Sequence, residues 1–128
     1  MRLDEGDFIE VRPGIFGATI DTAQLTVTVY RYEPGCAWEE HAHPEDQVTF
    51  VAEGGTVDFV VDGRPSPLGP GELAVIPGGV PHSATVAPDG ETVVTLNVWR
   101  LRRRPGPPAD PPASGAAGPR DSRARAAP

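Results

Sequence analysis

Apolar and polar residues alternate along most of this chain, in short runs rather than at helical spacing. The runs are QLTVTVYRY (24–32), QVTFVAE (47–53), TVDFVVD (56–62), ELAVIP (72–77), HSATVA (82–87) and TVVTLNVWRL (92–101). Val, Thr, Ile, Tyr, Phe and Trp fill them, the side chains that suit a pleated, half-buried surface. Turn-forming residues separate the runs: EPG (33–35), EGG (53–55), DGRPSPLGPG (62–71), PGG (77–79) and PDG (88–90). VVDGRP reads as a hairpin, with Asp62-Gly63 supplying the positive φ of a tight turn. Six or more short strands so closely spaced predict an all-β sandwich or barrel.

Composition narrows this picture at one end. Hydrophobic residues make up 38% of the 128-residue chain, modest for a compact protein, and the shortfall is local. From Arg103 the sequence holds no aliphatic side chain larger than alanine and no aromatic one. Such a segment cannot bury enough apolar surface to offset the entropy of ordering it. The expected organisation is one domain over residues 1–102 and a disordered Pro/Ala/Arg-rich tail over 103–128.

Charge divides near the same place. Residues 1–101 hold 16 acidic and 5 basic side chains, and residues 102–128 hold 2 and 6, a net −11 against +4. An acidic body argues against nucleic acid as the main partner, because phosphate recognition needs a basic surface. All 11 basic residues are Arg, which with abundant Ala, Gly and Pro suggests a GC-rich genome. One cysteine, Cys36, excludes an internal disulfide. No apolar run approaches the ~20 residues of a membrane span, and the acidic N-terminus does not resemble a signal peptide. No membrane partner is expected, and the cytoplasm is the default compartment.

The candidate chemistry sits in HAHPEDQ (41–47). Residues two apart on a strand share a face, so His41 and His43 are expected to project side by side. Gln47 follows a turn containing Pro44, and His82, the third and last histidine, arrives from a distant strand. Imidazoles from separate places converging with an amide oxygen give an open site for a divalent transition metal. The bland alternative is three surface or satisfied core histidines.

The spacing bears on that choice. Gly35 is followed by five residues, His41, one residue, His43, three residues, Gln47, six residues and Gly54; Gly71 is followed by five residues, Pro77, one residue, Gly79, two residues and His82. The two patterns resemble the two signature motifs of the cupin family, G-x5-H-x-H-x3/4-E-x6-G and G-x5-P-x-G-x2-H-x3-N. The resemblance implies a double-stranded β-helix, or jelly-roll, barrel of the compact single-domain bacterial type, commonly a homodimer. It implies one metal ion (Zn, Ni, Fe or Mn) held by His41, His43, Gln47 and His82. The sequence departs from the pattern twice: Gln47 stands where the family has Glu, and Val86 where it has Asn.

Gln47 decides what such a metal would be good for. An amide neither titrates near neutrality nor cancels charge. Three imidazoles and an amide would leave a 2+ ion at full Lewis acidity, suited to anionic bidentate ligands such as an enolate, a β-diketonate, a phenolate or a carboxylate. Gln47 could equally hold a metal-bound water, leaving a three-histidine site. A proton acceptor must then come from elsewhere: a metal hydroxide, Glu45, Asp46, Tyr30 or Tyr32. Strand parity with the ligands places Thr49, Val51 and Ala84 on the pocket wall, and Tyr30 is added to them; Trp38, Phe50 and Trp99 suit wall, core or dimer face equally.

Three functions follow. The first is a metal-dependent enzyme acting as a Lewis acid on a small anionic, oxygen-rich substrate, in a cyclase, isomerase or lyase reaction like that of the polyketide cyclases this motif resembles. The second is a metal-dependent dioxygenase of the quercetinase type. The third is a non-catalytic small-molecule-binding module.

Overall fold

A computed structural model describes residues 2–100; the tail expected to be disordered from 103 lies outside the described residues. Ten strands and no helix are found among them. They are β1 (Ile9–Arg12), β2 (Ile15–Asp21), β3 (Leu25–Tyr32), β4 (Ala37–His41), β5 (Gln47–Gly54), β6 (Val57–Val61), β7 (Arg64–Leu68), β8 (Leu73–Ile76), β9 (His82–Thr85) and β10 (Val93–Arg100). Each of the six runs picked out by alternation contains one of them.

The strands form two antiparallel sheets. One has six strands in the order β1-β2-β3-β10-β5-β8, the other four in the order β4-β9-β6-β7. Non-consecutive neighbours such as β3 with β10 and β4 with β9 show the crossovers of a jelly roll. Both sheets feed one core, with Ile15, Val51, Ile76 and Val93 from the larger and Val57, Phe59, Leu68 and Ala84 from the smaller. Ile15, Val51, Val57, Ile76 and Val93 are fully buried, each stabilising the fold by about 1.5–3 kcal/mol relative to exposure.

Four strands, β1, β2, β4 and β7, lie outside the alternating runs, and β4 bears on the site. In β7 the sequence RPSPL reads as turn because of Pro65 and Pro67. It is the end strand of its sheet, where a missing N–H costs no ladder bond on the open side. The Asp62-Gly63 turn that launches it has φ of 53° and 75°, and Val61 pairs with Arg64 across it. In β4 the strand ends at His41, so His43 is not strand-borne beside it as expected. Pro44 interrupts the chain there, and the His43 carbonyl instead accepts from Gly79 N–H at 2.7 Å.

Not every inward position on the large sheet is apolar. On β5, Gln47 and Thr49 are buried ahead of Val51, and on β10, Thr95 and Asn97 follow Val93. Thr28 on β3 completes this polar seam. It lies toward the end of the barrel where Gln47 starts β5, and the apolar core fills the rest.

Gly54 shows how tightly the backbone is set. Its φ is +99°, and a Cβ there would run into the Thr92 carbonyl just ahead of β10. Gly54→Ala is expected to lower stability by about 1–3 kcal/mol, read as a reduced denaturation midpoint by circular dichroism. An unchanged midpoint would mean that the β5 end is free to relax.

Candidate metal centre

The site is assembled by strand pairing and a loop clamp. His41 ends β4 and stands directly across from His82, the first residue of β9. Gln47 opens β5, and His43 lies in the loop between. That loop is tied to the one preceding β9 by Gly79 N–H to the His43 carbonyl at 2.7 Å and Gly78 N–H to Asp46 Oδ1 at 2.8 Å. Gly78 has no room for a side chain, since a Cβ would meet the Pro44 carbonyl. The clamp therefore explains a glycine that the spacing pattern does not mark.

The three imidazoles converge. One ligand nitrogen from each of His41, His43 and His82 lies within 4.8 Å of the others. Each ring is fixed by its own local backbone: His41 Nδ1 meets the Glu39 carbonyl at 2.8 Å, His43 Nδ1 the Glu45 carbonyl at 3.0 Å and His82 Nδ1 the Val80 carbonyl at 2.8 Å. A carbonyl only accepts, so each Nδ1 carries the proton and donates. In the neutral ring this leaves an Nε2 lone pair on the opposite side, the arrangement that metal-binding histidines use.

Gln47 joins them with its oxygen. Its side chain is buried, and its Oε1 lies 3.1 Å from His43 Nε2. Its amide nitrogen faces the other way, donating to Thr49 Oγ1 at 2.7 Å and to Asn97 Oδ1 at 3.2 Å. An amide oxygen and an imidazole lone pair thus face each other without a proton between them in the neutral state. His82 Nε2 is buried with no partner at all, at a cost of about 1–3 kcal/mol for an unmet polar atom. One cation within reach of these acceptors satisfies them together, so the donor set fits a divalent transition metal. Burial, then the neighbouring His41 and His43, push the His82 pKa down, against the carbonyl of Val80. A depressed pKa favours the neutral ring that a metal requires.

The cavity beside the cluster has about 270 Å³ of open space, mouth included, and is lined by Tyr30, Tyr32, Trp38, His41, Gln47, Phe59, His82, Ser83, Ala84 and Trp99. Tyr30 and Ala84 are thus on its wall, as are both tryptophans. Thr49 and Val51 are not. Both point inward as parity requires, but Thr49 is covered by the Gln47 amide and Val51 belongs to the apolar core. The residue that parity passed over is Asn97, fully buried and bonded to Gln47 and Thr49. A polar side chain in phase with Val93 and Thr95 was the available signal.

The candidate bases are also placed. Glu45 and Asp46 lie in the bend ahead of β5: Glu45 is half-buried, with Oε1 3.7 Å from His43 Nδ1, and Asp46, though exposed, accepts from Gly78 N–H. Burial raises the Tyr30 phenol pKa against the pull of Arg12, and burial, then Tyr30 and Cys36, raises that of Tyr32. Neither phenol is a base near neutrality. Cys36 is buried, and burial pushes its thiol pKa up as well, which leaves it a core side chain.

Comparison with known proteins settles the family. Residues 28–99, more than half the chain, match the family model described as Cupin domain. The chain belongs to the cupin family. Among curated proteins none matches this cupin by sequence. Among solved structures it is similar to the polyketide cyclase RemF from Streptomyces resistomycificus, at 26% identity and a TM-score of 0.70 over 82% of this chain and 80% of that one. It is similar also to KdgF from Halomonas sp., at 25% identity and a TM-score of 0.66 over 76% and 87%. An RmlC-like cupin from Shewanella frigidimarina shares the fold at 23% identity, with a TM-score of 0.68 over 78% and 87%.

The two tyrosines give a direct test of the cavity's interior. Tyr30 and Tyr32 are the only two in the cupin, and both pKa values are raised above the ordinary 10.0. For such a group the folded state is fully favoured below the unfolded pKa and loses that advantage as pH rises above it. Phenolate absorbance is expected to stay well below half its maximum at pH 10, and then to rise together with loss of the circular dichroism signal. Independent titration of either tyrosine at pH 10 with the fold intact would contradict the burial described.

Proposed function

We propose that this cupin is a metal-dependent enzyme acting on a small, anionic, oxygen-rich organic substrate by non-redox chemistry of the cyclase, isomerase or lyase kind. The observation that carries the reading is the donor set: three imidazoles proton-locked at Nδ1 and a carboxamide oxygen turned toward them. His41, His43, Gln47 and His82 would hold one divalent ion. When bound, it would supply Lewis acidity undiminished by any ligand carboxylate.

The chain's own side chains support the rest. The cavity wall is mainly aromatic, with Tyr30 edge-on to Trp38 at 5.1 Å between ring centroids and Trp99 4.9 Å from His43. Such walls exclude water and fit a flat or ring-shaped guest. Trp99 Nε1–H is buried with no acceptor, so an oxygen-bearing guest offers the partner it lacks. In an acidic body, Arg12 supplies positive charge nearby, its guanidinium carbon lying 5.1 Å from the Trp38 centroid. It draws the Tyr30 phenol pKa downward, as it would attract an anionic substrate. With its phenol held protonated, Tyr30 is suited to donating a hydrogen bond to a substrate oxygen, not to removing a proton, whereas Tyr32 is buried in the core with Thr95 as its partner. Similarity to a structure described as a polyketide cyclase supports the same class.

The test is metal analysis with an oxygen electrode. The purified protein is expected to hold about one divalent ion per chain and to lose it in His43→Ala and His82→Ala, with circular dichroism unchanged. Diketone and flavonol substrates should elicit no oxygen uptake. Iron or nickel with oxygen consumption would replace this reading by a dioxygenase, and failure to take up any divalent transition metal would end both.

A further inference from the structure

The orientation of the Gln47 amide is not set at Gln47. It can be traced from a group whose role is unambiguous, the backbone carbonyl of Thr28. This carbonyl only accepts, so the atom of Asn97 that faces it at 3.2 Å is the amide nitrogen. The same nitrogen donates to Thr95 Oγ1 at 2.9 Å. Asn97 Oδ1 therefore points the opposite way, where it meets Thr49 Oγ1 at 2.8 Å and Gln47 Nε2 at 3.2 Å. Only a donor is tolerated against that oxygen. Gln47 must present its nitrogen there, and Oε1 is left facing the imidazoles.

All of these side chains are buried: Asn97, Thr49 and Thr95 at 0% exposure, Thr28 at 4% and Gln47 at 5%. Water cannot substitute freely for any of the bonds, so the sequence of donors and acceptors is fixed. Flipping the Gln47 amide would set its oxygen against Asn97 Oδ1 and turn its nitrogen toward the histidines. A carboxylate at position 47 would meet the same difficulty, since it has no hydrogen to give Asn97. The site is therefore built for a neutral amide.

We propose that Asn97 is a positioning residue for the metal centre: anchored by the Thr28 carbonyl and Thr95, it selects a carboxamide at position 47 and aims its oxygen at the three imidazoles. Asn97 makes no contact with a histidine among the bonds described; it acts through Gln47. This inference rests on Gln47 being a metal ligand and goes beyond it, since it assigns the neutrality and direction of that ligand to a strand fifty positions away in sequence.

The experiment measures Zn²⁺ and Co²⁺ affinity of the full chain by competition with a chromogenic chelator, together with the visible absorption of the Co²⁺ form. Four proteins are compared: wild type, Asn97→Leu, Gln47→Ala, and the double variant. Loss of a side chain that orients a ligand costs roughly 10- to 100-fold in affinity. Asn97→Leu is expected to show that loss with an altered Co²⁺ spectrum. Gln47→Ala should also weaken binding. In the Gln47→Ala background, Asn97→Leu should cost nothing further, because the group it acts through is gone. An equal loss in both backgrounds would show a merely structural role and overturn the proposal, as would wild-type affinity and spectrum in Asn97→Leu. If Asn97→Leu does not fold, Asn97→Ser, which keeps a hydroxyl but cannot bridge Thr28 to Gln47, is read by the same outcomes. Wild-type affinity in Gln47→Ala would refute the ligand role itself and this inference with it, a result distinct from loss in Gln47→Ala with none in Asn97→Leu.

Discussion

Three short hydrogen bonds from imidazole Nδ1 to backbone carbonyls govern this molecule's chemistry. Each spans only two residues: His41 to Glu39, His43 to Glu45 and His82 to Val80. Each consumes the proton of a neutral ring and leaves the opposite nitrogen as a lone pair. A strand end, a proline-interrupted loop and a strand start are bent so that those lone pairs meet. The clamp between Gly78, Gly79 and the loop carrying His43 keeps the two halves in register. Without it, His82 would still sit opposite His41, but the loop carrying His43 would lose its backbone tie to the segment ahead of β9.

The barrel reconciles two demands. Its interior must be apolar to fold, and one end must hold an array of acceptors. Alternation on β5 and β10 meets both, because the inward positions turn polar at the next inward residue, from Val51 to Thr49 and from Val93 to Thr95 and then Asn97. The hydroxyls and amides in this seam bond to one another, so polarity enters the core without unmet groups. Where it fails to close, at His82 Nε2 and Trp99 Nε1, the remaining valences belong to residues on the cavity wall.

Much of this was legible in the sequence, for identifiable reasons. A strand buried on one face writes its period directly, and the six alternating runs all contain strands. Two motif spacings pointed to the histidines that the structure gathers. The failures have equally definite causes. Pro65 and Pro67 mask β7, because an edge strand tolerates what a central strand does not. His43 left the strand because Pro44 follows it. Thr49 and Val51 were placed on the cavity wall because parity distinguishes inside from outside but not the open end of a barrel from its packed middle. Asn97 lay hidden for another reason: its meaning depends on Thr28 and Gln47, which only the pairing of β10 with both β3 and β5 brings together.

The placement of Trp38 and Trp99 carries a practical consequence. They are the chain's only tryptophans, and both line the same cavity. The protein's ultraviolet emission is therefore not an average over the molecule. Excited at wavelengths that tyrosine does not absorb, it comes entirely from two indoles within one ring's reach of His41 and His43. Occupants of the cavity, and paramagnetic ions in particular, become visible to a fluorimeter without any label.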